Sequence, residues 1–150
     1  MLFRSLERVK DGIELPHGRQ IGAALASGEQ RDQRELARFY LDRGRRLYQQ
    51  ESDREAVVEL NRALYLSPYE ADAHLILGRI HLRNNRVHEA VDAFKISLWS
   101  AETPAAHVAL GDAYLQAKDA AAARAEADRA LLLDPASADA KALVDRIGQR

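Results

Sequence analysis

The chain has 150 residues, a formal net charge of −1 and no cysteine, with alanine, leucine and arginine dominant. That size suits one domain with a continuous core. The missing cysteines exclude disulfides, thiolate chemistry and a cysteine-linked lipid anchor, and without a basic block nucleic acid is not an expected partner. No run of about 18 apolar residues and no signal-peptide core occurs, so the expectation is a soluble cytoplasmic protein.

Residues 1–36 read as an amphipathic arm. Leu2, Leu6, Val9 and Ile13 recur at helical spacing with Phe3 beside them, while Arg4, Glu7, Arg8 and Lys10 lie opposite. Gly12 or Pro16 ends this helix. Such an arm caps its own array, docks on a partner, or touches a membrane surface at most peripherally, since its polar face mixes acid with base. A second helical patch around 21–26 and a polar stretch over 28–34 lead into a helix near 35–50, either separate from them or continuous with them. Helices follow near 53–66, with Asp53 placed as N-cap, and near 70–83 and 87–99. The next pair spans 104–117, with Pro104 suited to a first turn, and 120–133. Last comes 137–147, where Ala140, Leu143, Val144 and Ile147 face one way and Asp139, Lys141, Asp145 and Arg146 face out. Nothing alternates as a strand does, so the class is all-α.

One pattern recurs through these helices. Gly44, Gly78 and Gly111 each stand mid-helix. A small residue follows twelve positions later (Ala56, Ala90, Ala123), and another seven beyond it (Ala63, Ser97, Ala130). The copies end at Pro68, Glu102 and Pro135. The period is 34 and then 33 residues, which signals a stacked repeat array. A glycine inside a helix costs about 1 kcal/mol of propensity, so close approach of a second helix must offset it. The small residues let the two backbones meet and seat the next copy, and proline stops the second helix.

The pattern resembles the tetratricopeptide-repeat family over roughly residues 37–135. The resemblance implies a right-handed α-solenoid of three helix–turn–helix repeats (37–70, 71–103, 104–136), with the arm before it and a capping helix at 137–150. The family's aromatic slot holds Tyr40, His74 and His107, and its leucine slot holds Arg43, Leu77 and Leu110. Arg43 departs from the pattern, so the outer packing of the first copy needs another cover.

Catalytic motifs are missing: no HExxH, no phosphate-binding glycine loop and no nucleophile elbow. His74 and His81 share a helical face two turns apart, a spacing that suits a metal. No third ligand completes that sphere, and both occupy positions that the other copies fill with packing residues. No enzyme activity, metal or cofactor is therefore expected.

What remains is surface. In the family the first helix of each repeat lines a concave groove. Projected on this sequence, the groove takes Arg38, Leu41, Arg45 and Tyr48 from copy one, then Asp72, Leu75, Arg79, Leu82 and Arg83 from copy two. Copy three adds Ala105, Val108, Asp112, Leu115 and Gln116. The apolar column Leu41–Leu75–Val108, with Leu82 and Leu115, is more than a solvated groove requires, although filling the gaps between neighbouring helices would also explain it. Arginines pair with carboxylates, so the expected ligand is a protein segment or peptide with apolar anchors and some acidic residues. A co-chaperone clamp on a terminal EEVD carboxylate is not expected, because Leu41, Arg45, Ala105 and Ala109 stand where that branch uses lysine, asparagine and other basic residues. The alternative is a fixed accessory subunit of a multi-subunit, possibly membrane-associated complex. It would dock through the arm and through Tyr65 and Trp99, which stand at matching places with Leu132 third in the row.

Overall fold

The computed structural model describes residues 19–149, with side chains described from Ala26 onward. The expected helix over 2–13, with Leu2, Phe3, Leu6, Val9 and Ile13, lies outside the described residues. The chain divides into two units, Met1–Leu36 and Ala37–Arg150. Among the described residues all regular structure is helical: α1 (Arg19–Gln49), α2 (Asp53–Leu66), α3 (Ala71–Arg83), α4 (Val87–Ser100), α5 (Pro104–Gln116), α6 (Ala120–Leu133) and α7 (Ala138–Gly148). The expected all-α class is the observed one. The continuous alternative holds at the first boundary: the patch at 21–26, the polar stretch and the helix at 35–50 form one α1 of 31 residues.

Within Ala37–Arg150 each helix packs on the next in sequence, and α3 also packs on α5 and α5 on α7. No such direct packing joins α2, α4 and α6 to one another. Tight contact along α3–α5–α7 and splay along α2–α4–α6 bend the stack, with the first set on the inside of the curve. The core follows the small-residue pattern. Ala56, Ala63, Ala90, Ala123 and Ala130 are fully buried, and Leu60 and Phe94 sit against the glycines. A Cβ at Gly44 would stand 2.7 Å from Leu60 Cγ, and one at Gly78 would stand 2.5 Å from Phe94 Cδ1. The third copy departs from this rule. Its equivalent of Phe94 is Ala127, and the space over Gly111 is filled by Leu143 of α7, whose Cδ2 lies 2.5 Å from where a Cβ would be.

Buried charged residues are ion-paired, and the buried Ser97 hydroxyl donates to the Ala71 carbonyl at 2.9 Å. Glu59 and Glu126 occupy matching places on α2 and α6 and are each 6% exposed. Arg62 donates to Glu59 and Arg129 to Glu126, both at 2.9 Å. Arg43, the residue out of pattern, has its Nε 3.6 Å from Glu59 and its guanidinium over the Phe39 ring. The charged residue is thus accommodated by a buried carboxylate. In the third copy His107 takes the aromatic slot, its Nδ1 2.6 Å from Glu126 and its Nε2 2.9 Å from Glu102. His74 has Nε2 2.8 Å from the Pro68 carbonyl. No three metal-binding side chains converge among the described residues.

Helix starts follow local chemistry. Thr103, Asp119 and Ser137 accept from the amides of Ala106, Ala122 and Ala140 at 3.2, 3.0 and 3.2 Å, satisfying groups the first turn leaves open. Asp53 is a correction, because Ser52 occupies the cap position and Asp53 is the first helical residue, turned to another partner described below. The turns within each pair carry Glu51, Asn85 and Lys118 at φ 60°, 60° and 65°. Left-handed backbone costs an L-residue about 1–2 kcal/mol, against a smaller entropic cost for glycine. Lys118→Gly should therefore stabilise the chain by about 0.5–1 kcal/mol in urea melts, and a lowered midpoint would show the turn to be unstrained.

Candidate functional site: the inner face of the helical stack

The residues assigned to a groove fall into three places. Leu41 is buried beside Ala56 and Leu60, while Leu75 is half-buried and packs toward Ala109 and Leu110. These two side chains fill space between helices. Arg45 donates to Asp72 at 2.9 Å and lies 3.4 Å from Asp42, so this α1–α3 pair is internally neutralised. Arg38 is exposed.

At the turn end, Arg83 donates through Nε to Asp53 at 3.2 Å, Asn84 donates to the same carboxylate at 2.9 Å, and the Arg83 guanidinium lies 4.5 Å over the Tyr48 ring. The Arg83 hydrogen bond holds the Asp53 carboxyl below its usual range. A lowered acid pKa contributes stability above the unfolded value, near pH 4, and that stability is lost as pH falls through the folded value. Arg83→Gln should lower stability near neutrality by about 0.2–1 kcal/mol, the range of an exposed pair. It should also flatten the loss of stability below pH 4 in a denaturation series. An equally steep acid limb in the variant would place the sensitivity elsewhere.

The third place is a recess between α3, α5 and α7. Arg79, Leu82, Val108, Asp112 and Leu115 converge there, joined by Asp139, Ala142 and Arg146 of α7 and by Gln116, Lys118 and Gln149 at its mouth. Asp112 and Arg146 form its polar floor, with Oδ1 2.7 Å from Nη2. The contact is a short ion pair. Burial raises the Asp112 carboxyl, and Arg146 and Arg79 oppose that rise. Arg79 has no hydrogen-bonded or ion-paired side chain among the described residues. The recess therefore holds one ion pair and, among the described residues, one unpaired charge of each sign, Arg79 and Asp139, beside Leu82 and the buried Val108 and Leu115.

The sequence profile of the tetratricopeptide repeat matches residues 104–137, which contain α5, α6 and the turn between them. Residues 104–137 therefore carry a tetratricopeptide repeat. Solved tetratricopeptide-repeat structures share its fold. The Arabidopsis OM64 domain superposes with a TM-score of 0.74 at 19% identity, covering 78% of this chain and 98% of that one. The first such domain of Spaghetti (RPAP3), bound to an HSP90 peptide, gives 0.73 at 17%, covering 77% and 93%. The Yersinia enterocolitica type III secretion chaperone SycD, in complex with a peptide of the translocator YopD, gives 0.67 at 16%, covering 77% and 88%. No curated protein matches the chain by sequence.

Within this helical stack α7 adds to the inner face. Arg146 and Asp139 are exposed, as the amphipathic pattern of 137–147 placed them, and both line the recess. The signal was present: Arg45, Arg79, Asp112 and Arg146 follow one another at 34, 33 and 34 residues, so α7 continues the inner row as a further first helix. Tyr65 and Trp99 stand elsewhere, at the ends of α2 and α4, and are 87% and 74% exposed. Among the described residues no helix is long and apolar enough to cross a membrane.

Proposed function

We infer that the chain is a non-catalytic protein-interaction module. Its repeats span 37–70, 71–103 and 104–136, between an arm at 1–36 and a closing segment at 137–150. It holds a segment of another protein along the α3–α5–α7 face. The observation that carries this reading is the recess itself, where Leu82, with the buried Val108 and Leu115 beside it, lies next to Arg79, whose guanidinium makes no hydrogen bond or close ion pair among the described residues. An extended or helical peptide with apolar anchors and one or more carboxylates fits it. The peptide-bound RPAP3 and SycD domains support the reading, because they share the fold and carry peptides. A terminal EEVD peptide is not the expected ligand. Leu41 and Ala109 are buried where a carboxylate clamp would need polar groups, so micromolar binding of such a peptide would overturn this point.

Selection from a random peptide library on the full chain tests the proposal. Enriched peptides should combine apolar and acidic residues. Arg79→Glu and Leu82→Glu should each weaken them by about tenfold or more (about 1.4 kcal/mol), with the melting temperature unchanged. Enriched peptides indifferent to both substitutions would move the site to another face.

A further inference from the structure

The outer layer carries a second feature that the inner recess does not use. Helices α2, α4 and α6 are each 14 residues long, and the penultimate residue of each is large, apolar and exposed: Tyr65, Trp99 and Leu132, at 87%, 74% and 83%. Single exposed apolar side chains are ordinary. Three at one register of a repeated helix pair form a row, and Tyr69 extends it by an edge contact with Trp99 at 5.1 Å. Apolar rows of this extent mark contact surfaces.

Charge on the two sides of the row differs in sign. One helical turn before it, on the helix bodies, stand Arg62, Lys95 and Arg129. Arg62 and Arg129, three residues before the row, each reach a buried glutamate through a single Nη1, and Arg62 also lies over the Tyr40 ring. Lys95, four residues before the row, is exposed without an ion pair among the described residues, at the place that Asp128, paired with Arg124, takes in the third copy. Just beyond the row, in the connectors that follow each helix, stand Glu70, Glu102 and Asp134, of which Glu102 also meets His107. The row therefore lies between a mainly cationic side and an acidic side.

We propose that this edge is a second docking surface, whose occupant is an amphipathic helix of a partner protein laid across the ends of α2, α4 and α6. Neighbouring outer helices share no close backbone packing, so their ends stand about 10 Å apart or slightly more, at or beyond the usual 8–10 Å between packed helices. A helix rises 1.5 Å per residue, so about seven residues span each step. The partner helix carries apolar anchors at i, i+7 and i+14, acidic residues along one flank and basic residues along the other. An anionic bilayer fits less well, because Glu70, Glu102 and Asp134 would face its headgroups. A second copy fits less well too, since two-fold pairing that matches opposite charges would set Trp99 against Trp99, knob on knob. With the inner recess occupied as well, the chain would bridge two proteins.

Trp99 is the sole tryptophan of the chain, so its emission reports on this edge. The full chain is titrated with three synthetic three-heptad helical peptides that share the leucine anchors. One carries glutamate on one flank and lysine on the other, one carries glutamate on both, and one lysine on both. The mixed peptide should give a saturable blue shift, with the uniform peptides at least tenfold weaker. Tyr65→Ser/Leu132→Ser, which keeps the reporter and removes only exposed side chains, should weaken the mixed peptide tenfold or more without lowering the melting temperature. Leu82→Glu in the inner recess should leave this binding unchanged, which keeps the outcome separate from the groove reading. The proposal is overturned if no peptide gives a saturable shift, or if all three bind alike. It is also overturned if the shift appears with phosphatidylserine vesicles instead, or on concentrating the chain alone.

Discussion

Gly78→Ala should destabilise the chain by about 1–3 kcal/mol, the cost of overpacking a filled core, although alanine is the better helix former by about 1 kcal/mol. A Cβ at this position would stand 2.5 Å from Phe94 Cδ1. Phe94 is fully buried on α4, with Ala109, Leu110 and Ala113 of α5 behind it. The ring is fully buried, so α3 and α4 must separate or Phe94 must leave its rotamer. The explanation makes a prediction about sign. In a Phe94→Ala background, itself costing about 3–5 kcal/mol, the added methyl meets a cavity. Gly78→Ala should then be neutral or stabilising, because the propensity gain is no longer opposed. Urea denaturation of the four proteins measures both steps. Were Gly78→Ala stabilising in the parent chain, close packing would not be the reason for the glycine.

Leu143→Ala should have the second large effect, about 2–5 kcal/mol for a buried leucine that leaves a cavity. The residue is fully buried and fills the space over Gly111 that Phe94 fills in the preceding pair. It is the only large side chain of α7 in the fully buried class; Val144 and Ile147 are partly exposed, and Ala140 is small. Truncation therefore loosens α7 as a unit, and the recess loses Asp139, Ala142 and Arg146 together. Hydrogen exchange should show residues 138–148 losing protection more than α3 and α4 do. Any peptide selected on the inner face should bind more weakly in parallel. Unchanged exchange over α7 would mean that Leu143 contributes packing without latching the helix.

Both predictions start from glycines visible in the sequence, but their partners were legible to different degrees. Gly78 and Phe94 belong to one helix pair sixteen residues apart, a spacing that the repeat itself supplies. Leu143 belongs to the closing helix, and a sequence pattern says only that it is apolar. Its position over Gly111 follows from Ala127, which is too small to occupy that space. The charged residues show the same divide. Arginines at recurring places were readable as a row, but their pairing was not. Arg45 meets Asp72, Arg83 meets Asp53 and Arg146 meets Asp112 across 27, 30 and 34 residues. Such contacts depend on how the helices are stacked, and no local pattern encodes them. Of the arginines projected onto the groove, Arg79 is the one left on the recess floor without an ion pair.

The sequence by itself determined the all-α class, the helix pairs and the seats where backbones meet, because glycine, alanine and proline act through local sterics that recur with the repeat. Only the tertiary structure decided which leucines became core, which arginines were already engaged, that α7 supplies a wall of the recess, and that the row Tyr65, Trp99 and Leu132 stays exposed. Those outcomes depend on distances between helices far apart in sequence, where burial and charge pairing are settled by the stack as a whole.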